Sequence, residues 1–147
     1  YEAGCDIIVA AEGMASASLI SEDTFLREAL PVLKEFASRA GGLVGIELVG
    51  DALPFARHLA DIPCAALLIG SQDPPELMRQ RIGPAKALMG NLNNLKLLRW
   101  TPDRIEFECR RVIHHAGPGF ILSNQGPEVP IGTPEANIEA LIRGAHR

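Results

Sequence analysis

The sequence predicts an α/β fold in which five parallel strands alternate with helices. Five short apolar segments recur along the 147 residues, and segments with apolar residues at helical spacing lie between them. Most of the helical segments open with Ser, Thr or Pro, which is typical of helix N-termini. Strict alternation of this kind implies parallel strands joined by right-handed crossovers.

The five predicted strands are short apolar runs, as expected for strands buried on both faces of a parallel sheet. In chain order they are Cys5–Ala11, Leu43–Val49, Ala65–Ile69, Ala85–Met89 and Gly119–Leu122.

The predicted helices begin at recognisable caps. The first runs from the N-cap Ser21 to Gly41, and Pro31 inside it predicts a kink because proline lacks a backbone donor. A short helix follows over Ala52–Ala60. The last three helices begin at Pro74-Pro75, at Thr101-Pro102 and at Thr133-Pro134.

Two architectures fit five βα units. They form either a complete doubly wound, flavodoxin-like sheet or five-eighths of a TIM barrel, and periodicity alone does not separate the two. In both, ligands bind at the carboxyl ends of the strands, so the loops that follow the strands are the predicted site.

Composition narrows the class of function. The net charge is −4 and the positive residues are scattered, which argues against a nucleic-acid partner or an anionic membrane surface. The longest apolar run, Ala65–Ile69, is far shorter than the ~20 residues of a transmembrane helix. Three widely spaced cysteines predict reduced thiols, and hence a cytoplasmic protein.

Polar residues at the predicted strand exits are the candidate site residues. Glu47, near the end of the second strand, is the foremost catalytic candidate, because a carboxylate in an apolar run is costly to bury without a partner. Glu12 is the second candidate for general acid–base chemistry. The candidate substrate-binding residues are Ser16, Asp51, Asn91, Asn93, Asn124 and Gln125.

No histidine or cysteine belongs to these exits, which restricts the chemistry. A zinc or iron site needs several converging His, Cys or carboxylate ligands, and no set is evident here. A Ser–His or Cys–His nucleophile pair lacks a base at this edge, and no glycine-rich phosphate loop is present.

The ordered motifs of the chain resemble those of the uroporphyrinogen decarboxylase superfamily. Each motif is weak alone, but together they follow the family's order over essentially the whole sequence. They are Gly4-Cys5-Asp6 before the first strand, Leu19–Phe25, Ala29–Lys34, Leu88–Leu92, Thr101-Pro102, Phe120–Ser123 and Thr133–Ile138.

The resemblance implies a TIM barrel, with residues 1–147 as the C-terminal part of one domain and the first βα units absent. The superfamily contains decarboxylases that remove carboxylates from a tetrapyrrole without a cofactor. It also contains zinc-dependent methyltransferases that move methyl groups from corrinoid proteins to thiols. An open five-stranded piece exposes two sheet edges, so the isolated chain is expected to be insoluble or oligomeric.

Two branches of the superfamily, and a third possibility, remain open. The first expectation is a tetrapyrrole-binding, decarboxylase-like lyase without a cofactor. The alternatives are a methyltransferase that uses zinc and a corrinoid protein partner, or a non-catalytic paralogue; a homodimer is compatible with each. Ala11–Ser21 aligns best with the methyltransferases, but Val49 and Gln125 replace the thiolates of their zinc site. The resemblance leaves Glu47 as the only candidate metal ligand in this chain, acting with residues from outside it. The histidine of the decarboxylase "GHG" loop is also missing from Gln125-Gly126-Pro127.

Overall fold

The five predicted strands form one parallel sheet. The computed structural model describes residues 1–126 and 128–146, so Pro127 of the last exit loop lies outside the described residues. The strands are β1 (Ile7–Glu12), β2 (Leu43–Leu48), β3 (Ala66–Leu68), β4 (Ala87–Leu92) and β5 (Phe120–Asn124). Every predicted strand is therefore present, although β4 and β5 extend further along the chain than the apolar runs suggested.

Strand order decides between the two architectures. The order is β1-β2-β3-β4-β5, and every neighbouring pair is parallel. A doubly wound sheet reverses its strand order at a switch point, which places helices on both faces. This sheet has no reversal. It therefore corresponds to five consecutive βα units of a TIM barrel, which confirms the barrel expectation and excludes the flavodoxin-like alternative.

The register assigns residues to the two faces of the sheet. Val44, Ile46 and Leu48 of β2 pack into the main core with residues of the helices. Successive residues of a strand point to opposite faces, so Gly45 and Glu47 belong to the other face, which is the interior of a barrel. A Cβ built on Gly45 would lie 3.3 Å from a Val9 methyl group, which places Val9 on that interior face as well.

A π-helical turn interrupts the first helical region. Ser21 accepts a hydrogen bond from the backbone N–H of Thr24 and caps α1 (Glu22–Thr24), as predicted. The π-helical Phe25–Ala29 follows, and α2 (Leu30–Arg39) continues with Pro31 in its first turn. Pro31 has no N–H and its ring crowds the preceding turn. The wider turn before Pro31 accommodates both, so the region continues without stopping.

Four more helices complete the units. They are α3 (Ala56–Leu59), preceded by a 3₁₀ turn, α4 (Pro75–Ile82), α5 (Pro102–Ala116) and α6 (Glu135–Ala145), and a 3₁₀ helix over Asn94–Leu98 follows β4. Thr101 caps α5 as predicted. The predicted cap Thr133 instead donates its hydroxyl to the Pro130 carbonyl, and Pro134 is the N-cap of α6. Among the described residues, no helix is long and apolar enough to span a membrane.

Asn137 fastens α6 to the loop after β4. Its side-chain amide is buried and donates to the carbonyl oxygens of Leu97 at 2.7 Å and Trp100 at 2.9 Å. Those carbonyls lie at the end of the 3₁₀ helix, where no helical donor reaches them. This side chain therefore replaces the backbone hydrogen bonds that the 3₁₀ helix lacks at its end.

We expect Asn137→Ala to lower the free energy of unfolding by about 2–4 kcal/mol, because it leaves buried carbonyl oxygens without donors. Denaturant unfolding of the protein that contains this chain measures the loss. Glu139→Ala, exposed on the same helix, is the matched control and should change stability by less than about 0.5 kcal/mol. Equal effects of the two variants would contradict the role assigned to Asn137.

Candidate functional site

Glu47 is the one candidate whose carboxylate lies on the interior face of the sheet. The residue is 5% exposed, and its Oε1 atom is buried without a hydrogen-bond partner among the described residues. Burial raises the pKa of this carboxyl group above its usual value, and the nearby negative charge of Glu128 raises it further. A buried acid with a raised pKa and a free oxygen is suited to accept or deliver a proton.

Glu12 lies on the opposite face of the sheet from Glu47. It is aligned with Leu48 across β1 and β2, whereas Glu47 is aligned with Ala11. Its Oε1 atom accepts a hydrogen bond from the backbone N–H of Met14 at 3.1 Å, so it closes the turn after β1. The structure therefore does not bring the two candidate catalytic acids together.

Ser16 and Asp51 join the exits of β1 and β2. The Ser16 hydroxyl is buried and accepts from the Asp51 backbone N–H at 3.0 Å, and the Asp51 carbonyl accepts from the Ala17 N–H at 2.8 Å. The hydrogen bonds of Ser16 are thus made within the protein, and they hold the loop after β1 against the loop after β2.

Asp73, which the sequence did not single out, is the most buried carboxylate at this edge. It is 1% exposed, and its Oδ1 accepts from the backbone N–H groups of Ala52 and Leu53 at 3.0 and 2.9 Å. Burial raises its pKa to about 6, despite the N–H donors that favour the charged form. From the sequence alone, Asp73 was only one acid in the loop after β3. Its burial could not be predicted, because its partners lie about 20 residues away in the loop after β2.

We expect Asp73→Asn to remove a pH dependence of stability. The folded-state pKa of about 6 lies above the ordinary aspartate pKa of 3.8, so the folded state holds the proton more tightly. Stability of the wild type therefore falls as pH rises from about 4 to above 6, by roughly 3 kcal/mol. The variant keeps an acceptor oxygen and should lose this slope. Urea unfolding from pH 4 to 7.5 measures it, and parallel curves for both proteins would contradict it.

Asn91 and Asn124 lie inside strands rather than in the exit loops that the sequence suggested. Asn91 is buried in β4 and donates to the carbonyls of Gly70 and Asp73 at 3.1 and 2.7 Å. Asn124, the last residue of β5, donates to carbonyls of the loop that follows, including that of Glu128 at 2.9 Å. The amide donors of both residues therefore shape the strand exits within the protein.

Ser71, Asn93 and Gln125 connect the exits of β3, β4 and β5. Gln125 Oε1 accepts from the Ser71 N–H at 2.9 Å, and the Asn93 amide donates to the Ser71 hydroxyl at 3.2 Å. The Gln125 amide also donates to Asn94 at 3.5 Å. All three residues are partly exposed. They form an uncharged hydrogen-bonding rim at the carboxyl edge, and Ser71 is a member that the sequence did not single out for binding.

The residues present do not fit a thiolate zinc site. Within residues 1–126 and 128–146, no group of three or more His, Cys, Asp or Glu side chains is close enough to hold a metal ion. Cys5 is exposed before β1, Cys64 is buried before β3, and Cys109 is buried in α5 with its pKa raised to about 11 by burial. None is at the carboxyl edge, where Gln125 instead forms a hydrogen bond to the β3 exit.

Comparisons with known proteins agree with the barrel fold. The sequence model described as uroporphyrinogen decarboxylase matches residues 1–147. The methylcobamide:CoM methyltransferase MtaA of Methanosarcina barkeri is 27% identical over 144 residues, which are 96% of this chain and 41% of that protein. A methyltransferase from Methanosarcina mazei aligns with a TM-score of 0.87 at 27% identity, covering 97% of this chain and 42% of that one. The chain thus spans about two fifths of the length of each relative.

Proposed function

Because the chain belongs to the uroporphyrinogen decarboxylase family, we propose that the protein containing it is a methyltransferase that takes a methyl group from a methylated corrinoid. In this proposal residues 1–147 are the C-terminal part of a single barrel domain of a cytoplasmic enzyme. The named relatives are both methyltransferases, and one of them acts on a methylcobamide. These relatives support the alternative that the sequence left open more than they support a decarboxylase.

The observation that carries the choice is the likeness to two methyltransferases, one of which acts on a methylcobamide. The strand exits are compatible with it, because the loops after β1, β2, β3 and β5 contain no Lys or Arg, whereas the segment after β4 contains Lys96 and Arg99. The side chains around a corrin ring are largely neutral amides. The uncharged rim of Ser71, Asn93 and Gln125 offers the donors and acceptors that such amides need.

Glu47 is the proposed proton acceptor of the reaction. The acceptor molecule, a thiol, forms a bond from sulfur to the methyl carbon and releases its proton to the Glu47 carboxylate. The electron pair of the broken bond between methyl carbon and cobalt remains with the corrinoid. The described residues of this chain do not by themselves form a thiolate zinc site, so the proposed step is written for Glu47 alone. Burial of Glu47 brings its pKa closer to that of a thiol, which favours the proton transfer.

A direct comparison of the two activities tests the proposal. The protein containing this chain is incubated either with methylcobalamin and 2-mercaptoethanol or with uroporphyrinogen, and heat-treated protein is the blank. We expect loss of the methylcobalamin absorbance only when the thiol is present, and no change in the mass of uroporphyrinogen. Successive losses of carbon dioxide from uroporphyrinogen without demethylation would establish the decarboxylase instead. Inactivity in both arms would favour the non-catalytic paralogue.

A further inference from the structure

A cleft outside the barrel interior lies between the start of α4, the 3₁₀ helix Asn94–Leu98 and α5. Its volume is about 560 Å³. Its walls come from the loop after β3, the end of β4 and the helices that follow these two strands. Neither candidate catalytic acid, Glu47 or Glu12, lines it.

Three cationic side chains line this cleft. They are Lys96 of the 3₁₀ helix, and Arg104 and Arg111 of α5. The two arginine side chains are 55% and 47% exposed, so their guanidinium groups are accessible to a ligand. Lys96 is exposed, and no carboxylate among the described residues lies within ion-pair distance of it.

Glu108 holds the two arginines in place. Its side chain is 6% exposed and lies between them, with one oxygen paired to Arg104 Nη2 and the other accepting from Arg111 Nε at 2.7 Å. Each arginine thus uses one nitrogen on Glu108, which leaves its other N–H groups without a partner in the described part of the chain. A buried carboxylate between two arginines is a costly way to stabilise a helix. It does fix two guanidinium groups in one orientation.

The other acids of the cleft are directed to other partners. The Asp73 carboxylate accepts from the backbone N–H groups of Ala52 and Leu53. The Oε1 atom of Glu76 lies 3.6 Å from Nδ1 of His115. The lining thus contains three acids and three cations. Asp73 and Glu108 are buried, whereas Lys96, Arg104 and Arg111 are exposed, so the cations are the groups that a ligand meets first.

An aromatic surface borders the cations. Lys96 Nζ lies 5.4 Å from the Trp100 ring centre, and Arg104 Cζ lies 5.8 Å from Trp100 and 5.3 Å from Phe107. These contacts order the long cationic side chains. They also add an apolar wall beside the charged groups, which suits a molecule with both an anionic group and an organic body.

We propose that this cleft binds a small organic oxyanion, a phosphate or carboxylate held by Arg104, Arg111 and Lys96. The rest of the molecule extends along the cleft towards Ser71 and Asn93, which line it and also belong to the uncharged rim. The charged end of the site lies away from Glu47 and does not depend on the proposed methyl transfer, although Ser71 and Asn93 are shared with the rim. Planar guanidinium groups bind both phosphates and carboxylates. The geometry therefore specifies an anionic ligand, and the experiment decides which of the two groups it carries.

Isothermal titration of the protein containing this chain tests the proposal with three probes: pyrophosphate, adenosine monophosphate and tricarballylate. We expect saturable binding of at least one probe, weakened at least tenfold in Arg104→Gln and several-fold in Lys96→Gln. Arg110→Gln, an exposed neighbour paired with Glu106, is the matched control and should bind as the wild type does. Comparing the probes distinguishes a phosphate from a carboxylate ligand.

Two safeguards keep the test decisive. Lys96 makes no ion pair in the described structure, so Lys96→Gln should not disturb folding, and a thermal melt of each variant checks this. Tryptophan fluorescence is measured with and without ligand in the wild type and in Trp100→Phe. We expect a ligand-dependent change in the wild type that is absent from Trp100→Phe, because Trp100 lines the cleft. The proposal is overturned if no probe binds at millimolar concentration, or if Arg104→Gln and Arg110→Gln bind equally well.

Discussion

Glu47→Gln is expected to lower methyl transfer by about 100-fold or more, because the amide cannot take up the proton of the acceptor. The substitution keeps the size and shape of a side chain that is 5% exposed on the interior face of the sheet. Initial rates of methylcobalamin demethylation, with thiol in excess, measure the loss. Glu35→Gln, on the exposed side of α2, is the control and should leave the rate unchanged.

Stability separates this effect from damage to the fold. The pKa of Glu47 is raised in the folded state, so its ionisation destabilises the protein above its usual pKa. Glu47→Gln should therefore raise the melting temperature at pH 7, and the gain should vanish near pH 4, where the wild-type carboxyl is protonated. A variant that is more stable and yet nearly inactive is the expected combination. A variant with full activity would remove Glu47 from the reaction.

Gly70→Ala is expected to have the largest effect on the fold, with a loss of about 3 kcal/mol or more in the free energy of unfolding. An added Cβ would lie 2.2 Å from the carbonyl oxygen of Gly50, and both partners are backbone, so no side chain can move aside. The exits of β2 and β3 would have to separate, which would also displace the Ser16 and Asp73 contacts that join neighbouring exits.

Gly13→Ala is the matched control for Gly70→Ala. A Cβ at Gly13 meets no atom within 4 Å, and its φ angle is outside the left-handed region. Urea unfolding and the demethylation rate should both stay near the wild-type values in Gly13→Ala and fall in Gly70→Ala. Comparable stability of the two variants would contradict the close approach of the two exits.

The strands could be predicted from the sequence because their apolar runs are continuous. The ends of the strands could not be predicted, since a strand ends where its hydrogen bonds to the neighbouring strand end. Asn91 and Leu92 continue β4 because they are aligned with Ser123 and Asn124 of β5, although the apolar run stops at Met89. The local pattern does not contain the strand order either. The choice between a barrel and a doubly wound sheet therefore depended on which strands pair in the structure.

The candidate site was predicted in part. The pattern pointed to the carboxyl edge of the sheet, which stays a prediction, and it singled out Glu47 as a carboxylate in an apolar strand. It could not separate Glu47 from Glu12, because their assignment to opposite faces depends on the register of β1 against β2. Asp73 and Asn137 were missed for a similar reason. Their partners lie 20 to 40 residues away, and only tertiary contact reveals them.

Transfer of an isotopically labelled methyl group tests the central claim most directly. Methylcobalamin with a deuterated methyl group is incubated with 2-mercaptoethanol and the protein that contains this chain, and the thioether product is analysed by mass spectrometry. The account predicts deuterated methyl thioether at a rate proportional to the protein concentration. It also predicts that Glu47→Gln abolishes the product. Absence of labelled thioether from folded wild-type protein, together with carboxyl loss from uroporphyrinogen, would contradict it.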